Sequence, residues 1–333
     1  FSAGTGPELT RYLEQLKPGG IIILGEQLEN AYTVKRVCDR IGMLHKGWRV
    51  PVPMFTSINQ EGGIVNRLRI NTVLFPSAMA LGATANTNLL YRTGLAVGRQ
   101  LRAAGLNMNY APVLDMNTNP QNQVIGFRAF ADNAAAVLRF AAAFTRGLHE
   151  AGVIPVGKHF PGHGRTTLDS HWFLPQTGAP AAELYKHDFR IFKDFPRQLL
   201  PAVMTAHVVY TNIDSLPATL SSNIISGYFR GQGNYDGVIM TDDIFMGALS
   251  RRYPYPKIVE LALKAGNDIL STSLPYSINS SLIRHIEQLV TTGVIPQARL
   301  DRSVRRILRL KQAYGLFHRE PVPAATAADW FHG

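Results

Sequence analysis

Short apolar runs alternate with stretches of helical period along most of the chain. The runs fall at Gly20 to Leu24, Pro53 to Ile58, Leu106 to Val113, Ile154 to Gly157, Ala202 to Thr205, Gly237 to Met240 and Asp268 to Ser271, each of a length that suits a buried strand. Between them, Leu89 to Ala104, Ala134 to Ala151 and Lys257 to Ala265 repeat apolar residues three and four apart, the pattern of a helix with one face against a sheet. This alternation predicts an α/β fold of parallel strands joined by crossover helices. Polar residues recur at the carboxyl ends of several runs, and no Gly-rich dinucleotide fingerprint follows the first. The pattern therefore favours a TIM-type (β/α)8-like barrel over an open doubly wound sheet. Seven strands are counted where eight close such a barrel. One catalytic domain is expected over 1–318 and a C-terminal tail over 319–333, of which Glu320 to Gly333 reads as a Pro- and Ala-rich strap lying on the surface.

Composition narrows the field. The 333 residues, 46% of them hydrophobic, suffice for a core of this size, since such barrels take about 250 residues. A net charge of +11 attracts anions, but the Lys and Arg residues are scattered. The one dense run, Arg302 to Lys311, reads as an exposed helix face, so no nucleic-acid partner is expected. The single cysteine, Cys38, leaves no intrachain disulfide and reads as a small buried apolar side chain. No run reaches the roughly 18 apolar residues of a membrane-spanning segment. Oligomeric state is left open.

The densest chemistry lies in Lys158 to Pro175, KHFPGHGRTTLDSHWFLP, which gathers basic residues, three histidines and a carboxylate around a Pro- and Gly-broken loop. Asp169 and His171, two apart, can hydrogen-bond so that the carboxylate fixes the imidazole tautomer and raises its basicity. A second acidic site, Asp242, ends the apolar run in YDGVIMTDD, and the carboxyl end of a strand is where α/β enzymes hold their reactive groups. A strand-end nucleophile and a separate proton donor meet the needs of double-displacement glycoside hydrolysis, with histidine standing for one of the two usual carboxylates. Spacing alone leaves other readings open: Asp242 as a cap for the next element and His171 as an exposed loop histidine. Asp243 reads as a structural cap, Glu61 as support for the Gly62-Gly63 turn, and Asp115 as a tie between loops. His207 either lines a pocket or packs beneath it. His159 and His163 are four apart, but Pro161 and Gly162 break the helix that would align them on a metal. No metal or cofactor is expected.

KHFPGHG with DSH, together with GVIMTDD, QEGG, AMALGAT, GLNMNYAPVLDMN and IGFRAF, resembles glycoside hydrolase family three, in its β-N-acetylglucosaminidase branch, over roughly residues 1 to 315. The histidine-bearing DSH loop is what separates this branch from the family's β-glucosidases. The resemblance implies Asp242 as nucleophile, His171 as acid/base and Asp169 as its orienting partner. It implies that Asn59, Arg67, Arg128, Lys158 and His159 hold a terminal N-acetylglucosamine, so that the partner is an N-acetylglucosamine-containing saccharide from cell-wall fragments or chitooligosaccharides. The loop Phe160 to Arg165 is expected to swing His171 in and out.

Several positions depart from the family pattern. Asn59 stands where Asp is usual before Gln-Glu-Gly-Gly, keeping an acceptor but losing its charge. Ile64, Asn66 and Ala129 replace the usual Arg, Gln and Ser. Phe1-Ser-Ala-Gly resembles a segment that relatives carry after a first strand, which implies one strand upstream. Two other functions stay open: a phosphorylase using the same dyad, since a neutral histidine does not repel incoming phosphate, and a non-catalytic sugar-binding barrel. APVLDMN with IGFRAF resembles the often-exported members, favouring the cell envelope or secretion over the cytoplasm.

Overall fold

The computed structural model describes residues 7–25 and 28–331. Phe1-Ser-Ala-Gly, on which the expectation of an upstream strand rests, lies outside them. The chain divides into two compact units interleaved in sequence. The first takes Phe1–Pro112, Arg139–Val156 and Lys311–Gly333, and the second takes Val113–Leu138 and Gly157–Leu310.

Every apolar run of the sequence marks a strand, two of which run on past it: β1 Gly20–Ile23, β2 Phe55–Ile58, β3 Met108–Asn109, β4 Ile154–Phe160, β5 Ala202–Thr205, β6 Val238–Asp243 and β7 Ile269–Ser271. In the first unit β1, β2, β3 and the start of β4 pair in that order, all parallel, with Gly20 opposite Phe55, Ser57 opposite Met108 and Met108 opposite Ile154. In the second, the end of β4 neighbours β5, and β5, β6 and β7 pair in parallel, Val238 opposite Ala202 and Met240 opposite Ile269. Parallel strands joined by helices are covered on both faces, and β2 and β4 are buried at every position. The α/β expectation is met.

Helices form where the period predicted them, at Thr87–Ala103, Ala134–Glu150 and Tyr255–Ala265. The Asn86 side chain caps the first by accepting from the N–H groups of Asn88 and Leu89. Where that helix crosses Ala134–Glu150 within the first unit, the two backbones nearly touch: a Cβ on Gly94 would lie 2.0 Å from the Phe144 carbonyl oxygen, and one on Gly147 would lie 2.3 Å from that of Tyr91. Only glycine fits such a crossing. The second unit packs an aromatic core in which Phe160 stacks on Phe229 at 4.2 Å and Phe229 on Tyr235 at 4.3 Å.

Two surface expectations need correction. Arg302 to Lys311 is not uniformly an exposed face, because Lys311 is 1% exposed, its Nζ donates to the Gly19 carbonyl at 3.0 Å and it sits 4.5 Å from the centre of the Phe55 ring. The strap after residue 319 is not simply laid on the surface either. It forms a short helix, Ala324–Ala328, and buries Phe331, whose ring meets Tyr32 edge-on at 4.8 Å. Apolar anchors hidden among Pro and Ala hold it. Cys38 is buried as expected, and burial pushes its thiol up to about 12.

Candidate active site

Strand β6 delivers Asp242 at its carboxyl end. The register against β7 shifts between Met240 and Asp243, the kind of irregularity that re-aims a side chain at a strand end. The Thr241 hydroxyl accepts from the Ser271 N–H at 2.9 Å within it. Asp242 is half-buried, and its Oδ1 accepts from the Asp243 N–H at 2.8 Å. Burial alone would raise its pKa. The neighbouring imidazoles of His159 and His207, the Asp243 amide and Lys158 outweigh burial and hold the carboxyl below its ordinary value. Asp243 has the structural role, its Oδ1 accepting from the N–H groups of Phe245 and Ser273. His207 packs beneath the site: it is 1% exposed, and its Nε2–H donates to the Asp243 carbonyl at 3.1 Å. Burial lowers its pKa, against the pull of Asp242 and the hydrogen bond to the Asp243 carbonyl.

The DSH loop presents Asp169 and His171 as a bonded pair. One oxygen of Asp169, Oδ1, accepts both the His171 main-chain N–H at 2.9 Å and the His171 Nδ1–H at 2.7 Å. That fixes the tautomer and leaves Nε2 as the atom able to exchange a proton. Burial pulls the Asp169 carboxyl upward, but these bonds from His171 overcome it, and the group lies below its ordinary value. The segment just past β6 grips the same loop: Gly247 N–H donates to the His171 carbonyl at 2.9 Å and Ala248 N–H to the Ser170 carbonyl at 3.2 Å. The main chain bearing His171 is therefore held against residues that follow Asp242 by five and six positions.

Strand β4 carries Lys158 and His159, 2% and 7% exposed. Asp115, 1% exposed, ties this strand end to the loop beyond it. Its Oδ2 accepts from His159 Nδ1 at 2.7 Å and from the His159 N–H, while Oδ1 accepts from the His163 N–H at 2.6 Å. Burial pushes Asp115 up; His159 and His163 outweigh it and bring its pKa down. Residues 160–164 are buried, and a Cβ on Gly164 would lie 1.7 Å from the Met116 carbonyl oxygen. The expected swinging loop is therefore not Phe160 to Arg165, because core packing and Asp115 fix most of it. The exposed stretch is Thr167 to Phe173, apart from Asp169 and Ser170. Arg128, in the Gly126–Arg128 turn of this unit, donates to the Val124 carbonyl at 2.9 Å.

Asn59 and Arg67 belong to the first unit. Asn59 follows β2 and is half-buried, while Arg67 is exposed. Their setting is built by two residues the sequence reading passed over. Asn109 clamps Gln60, accepting its N–H at 3.0 Å and donating to its carbonyl at 2.9 Å. The Gln60 side chain in turn accepts from the N–H groups of Arg67 and Leu68. The available signal was an amide side chain at the end of one apolar strand and two residues past the end of another. Among the described residues no group of three His, Cys, Asp or Glu side chains is placed to hold a metal ion.

A family model described as the glycosyl hydrolase family 3 N terminal domain matches residues 5–310. The chain belongs to glycosyl hydrolase family 3. Among curated relatives, a β-hexosaminidase of Alkalilimnicola ehrlichii is 33% identical over 275 residues, 80% of this chain and 77% of that protein. Beta-hexosaminidase A of Pseudoalteromonas piscicida is 31% identical over 331 residues, 92% of this chain but 55% of that protein. A solved family 3 β-N-acetylglucosaminidase from Paenibacillus sp. str. FPU-7 superposes with a TM-score of 0.92 at 36% identity, covering 97% of this chain and 62% of that one. This family 3 chain thus spans little more than half of the Pseudoalteromonas protein and under two thirds of the Paenibacillus chain.

Proposed function

We propose that this family 3 domain is a retaining β-N-acetylhexosaminidase that releases terminal non-reducing β-linked N-acetylglucosamine from peptidoglycan fragments or chitooligosaccharides. The names of the relatives support the sugar. The observation that carries the chemistry is the Asp169–His171 pair, bonded at 2.7 Å on a loop whose main chain is held by Gly247 and Ala248, just past the strand that ends in Asp242 and Asp243. The fold match over 97% of the chain supports the TIM-type barrel as its frame.

In this reading Asp242, kept ionised by its surroundings, attacks the anomeric carbon while His171 gives its Nε2 proton to the departing oxygen. The C–O bond to the aglycone breaks and a bond to Asp242 forms. His171, now neutral, takes a proton from water, which cleaves the glycosyl ester with retention of configuration. Asp169 offsets the charge on the imidazolium while it carries the proton. Lys158, His159, Arg128, Arg67 and Asn59 are assigned to the sugar's hydroxyl and amide groups, as the family resemblance implies.

The test is turnover of aryl β-N-acetylglucosaminide and aryl β-glucoside, with and without phosphate. Hydrolysis of the first, independent of phosphate and lost by at least about a thousandfold in Asp242→Ala, supports the reading. Phosphate-dependent release of sugar 1-phosphate would make the protein a phosphorylase, and binding without turnover would make it a sugar-binding module.

A further inference from the structure

The loop that carries the proton-transfer pair also contains a hydrogen-bond relay that the chemistry above does not use. Thr166 Oγ1 lies 2.9 Å from His163 Nδ1 and 3.0 Å from the His163 carbonyl oxygen. A hydroxyl has one proton and a carbonyl oxygen can only accept, so Thr166 donates to the carbonyl and accepts from Nδ1–H. His163 is 2% exposed, and burial, with His159 beside it, lowers its pKa to about 4. Near neutral pH its single proton is therefore on Nδ1 and Nε2 is a bare lone pair. Ser170 Oγ stands 3.2 Å from that nitrogen and must be the donor.

Ser170, 5% exposed, is the residue between Asp169 and His171. Its hydroxyl is held by His163 and its carbonyl by Ala248, while His163 is bonded through its own N–H to the buried Asp115. The side chains of Asp169 and His171 are 41% and 62% exposed, so their placement depends on the main chain that bears them.

We propose that His163 is a positioning residue for proton transfer: by accepting the Ser170 hydroxyl at Nε2 it locks the Asp169–His171 pair to the fixed framework of Asp115 and β4. The proposal rests on His171 being the acid/base. It assigns the second histidine of KHFPGHG to the geometry of the step and not to contact with the sugar.

The test is a series of aryl β-N-acetylglucosaminides running from 2,4-dinitrophenyl to unsubstituted phenyl, assayed with wild type, Ser170→Ala, His163→Gln and His171→Ala. A dinitrophenolate departs without a proton, whereas a phenolate needs one, so a misplaced acid is felt mainly at the poor end of the series. Ser170→Ala is expected to lose roughly tenfold or more in kcat/KM on the phenyl substrate and less than about threefold on the dinitrophenyl one, an error in placement of under 1 Å being enough. His163→Gln, whose amide oxygen can accept from Ser170, is expected to keep most of the activity across the series. Uniform losses along the series in Ser170→Ala, or no loss at all, would overturn the proposal while leaving the acid/base reading intact. Ser170→Ala removes only a hydroxyl, so it decides the matter even if His163→Gln does not fold. A flat series in His171→Ala would instead sink the acid/base assignment, and the proposal with it.

Discussion

Lys311 gives a worked test of how burial and charge compete in this fold. It is 1% exposed, and burial lowers its pKa from 10.5 to about 8. At about 1.4 kcal/mol per pH unit, carrying the charge at pH 7 costs the folded chain about 3 kcal/mol. Between about pH 8 and 10.5 the unfolded chain binds the proton and the folded chain does not, so stability from this group rises with pH through that window and the full cost applies below it. From pH 7 to pH 9 the wild type should gain about 1 kcal/mol from Lys311 alone. Lys311→Met removes the charge but leaves the Gly19 carbonyl, now 3.0 Å from Nζ, without that donor, a loss of about 1–3 kcal/mol. At pH 7 the variant should therefore match the wild type or exceed it by up to about 2 kcal/mol, the difference of the burial cost and that loss. Urea unfolding of both proteins at pH 7 and pH 9, followed by tryptophan fluorescence, measures the two gaps. Groups common to both proteins cancel, so the variant's margin must shrink by about 1 kcal/mol. A margin independent of pH would refute the reasoning.

Two further outcomes concern the carboxylates of Asp268 and Asp242. Asp268 receives Arg230 at 2.5 Å, Ser303 Oγ at 2.5 Å and the Ile239 N–H at 3.0 Å. Asp268→Asn should cost about 3–5 kcal/mol in urea unfolding by leaving buried guanidinium charge unanswered, and a cost under about 1 kcal/mol, the worth of a surface pair, would contradict it. In the proposed mechanism Asp242, held below its ordinary value of 3.8, must be ionised to attack, so the acid limb of kcat/KM should fall below about pH 4. A limb centred above pH 5 would show that another group, or an Asp242 in different surroundings, controls attack.

Much of the fold was legible because strands buried on both faces read as unbroken apolar runs. The boundaries that moved did so for a physical reason. Strand β4 continues through Lys158 and His159 to Phe160, where charged residues suggested a loop, because Asp115, forty-four positions from His159, accepts its ring and main-chain protons. No local pattern announces such a partner. The same network explains why Pro161, Gly162 and Gly164 mark a tightly packed corner and not a hinge. Asp169 and His171 could be paired from spacing, since residues two apart in a turn can meet. The bond between His163 and Ser170 spans seven residues of irregular chain, and it required coordinates. Lys311 was misjudged because a basic helix face hides the one lysine that turns inward onto Phe55.

The most direct measurement is to trap the glycosyl-enzyme. Incubation with 5-fluoro-N-acetylglucosaminyl fluoride, whose ring fluorine slows breakdown of the ester, followed by peptide mapping by mass spectrometry, should place one added sugar on Asp242 and none in Asp242→Ala. A label on another carboxylate, or turnover by an enzyme that never acquires one, would contradict the assignment of Asp242 as the nucleophile.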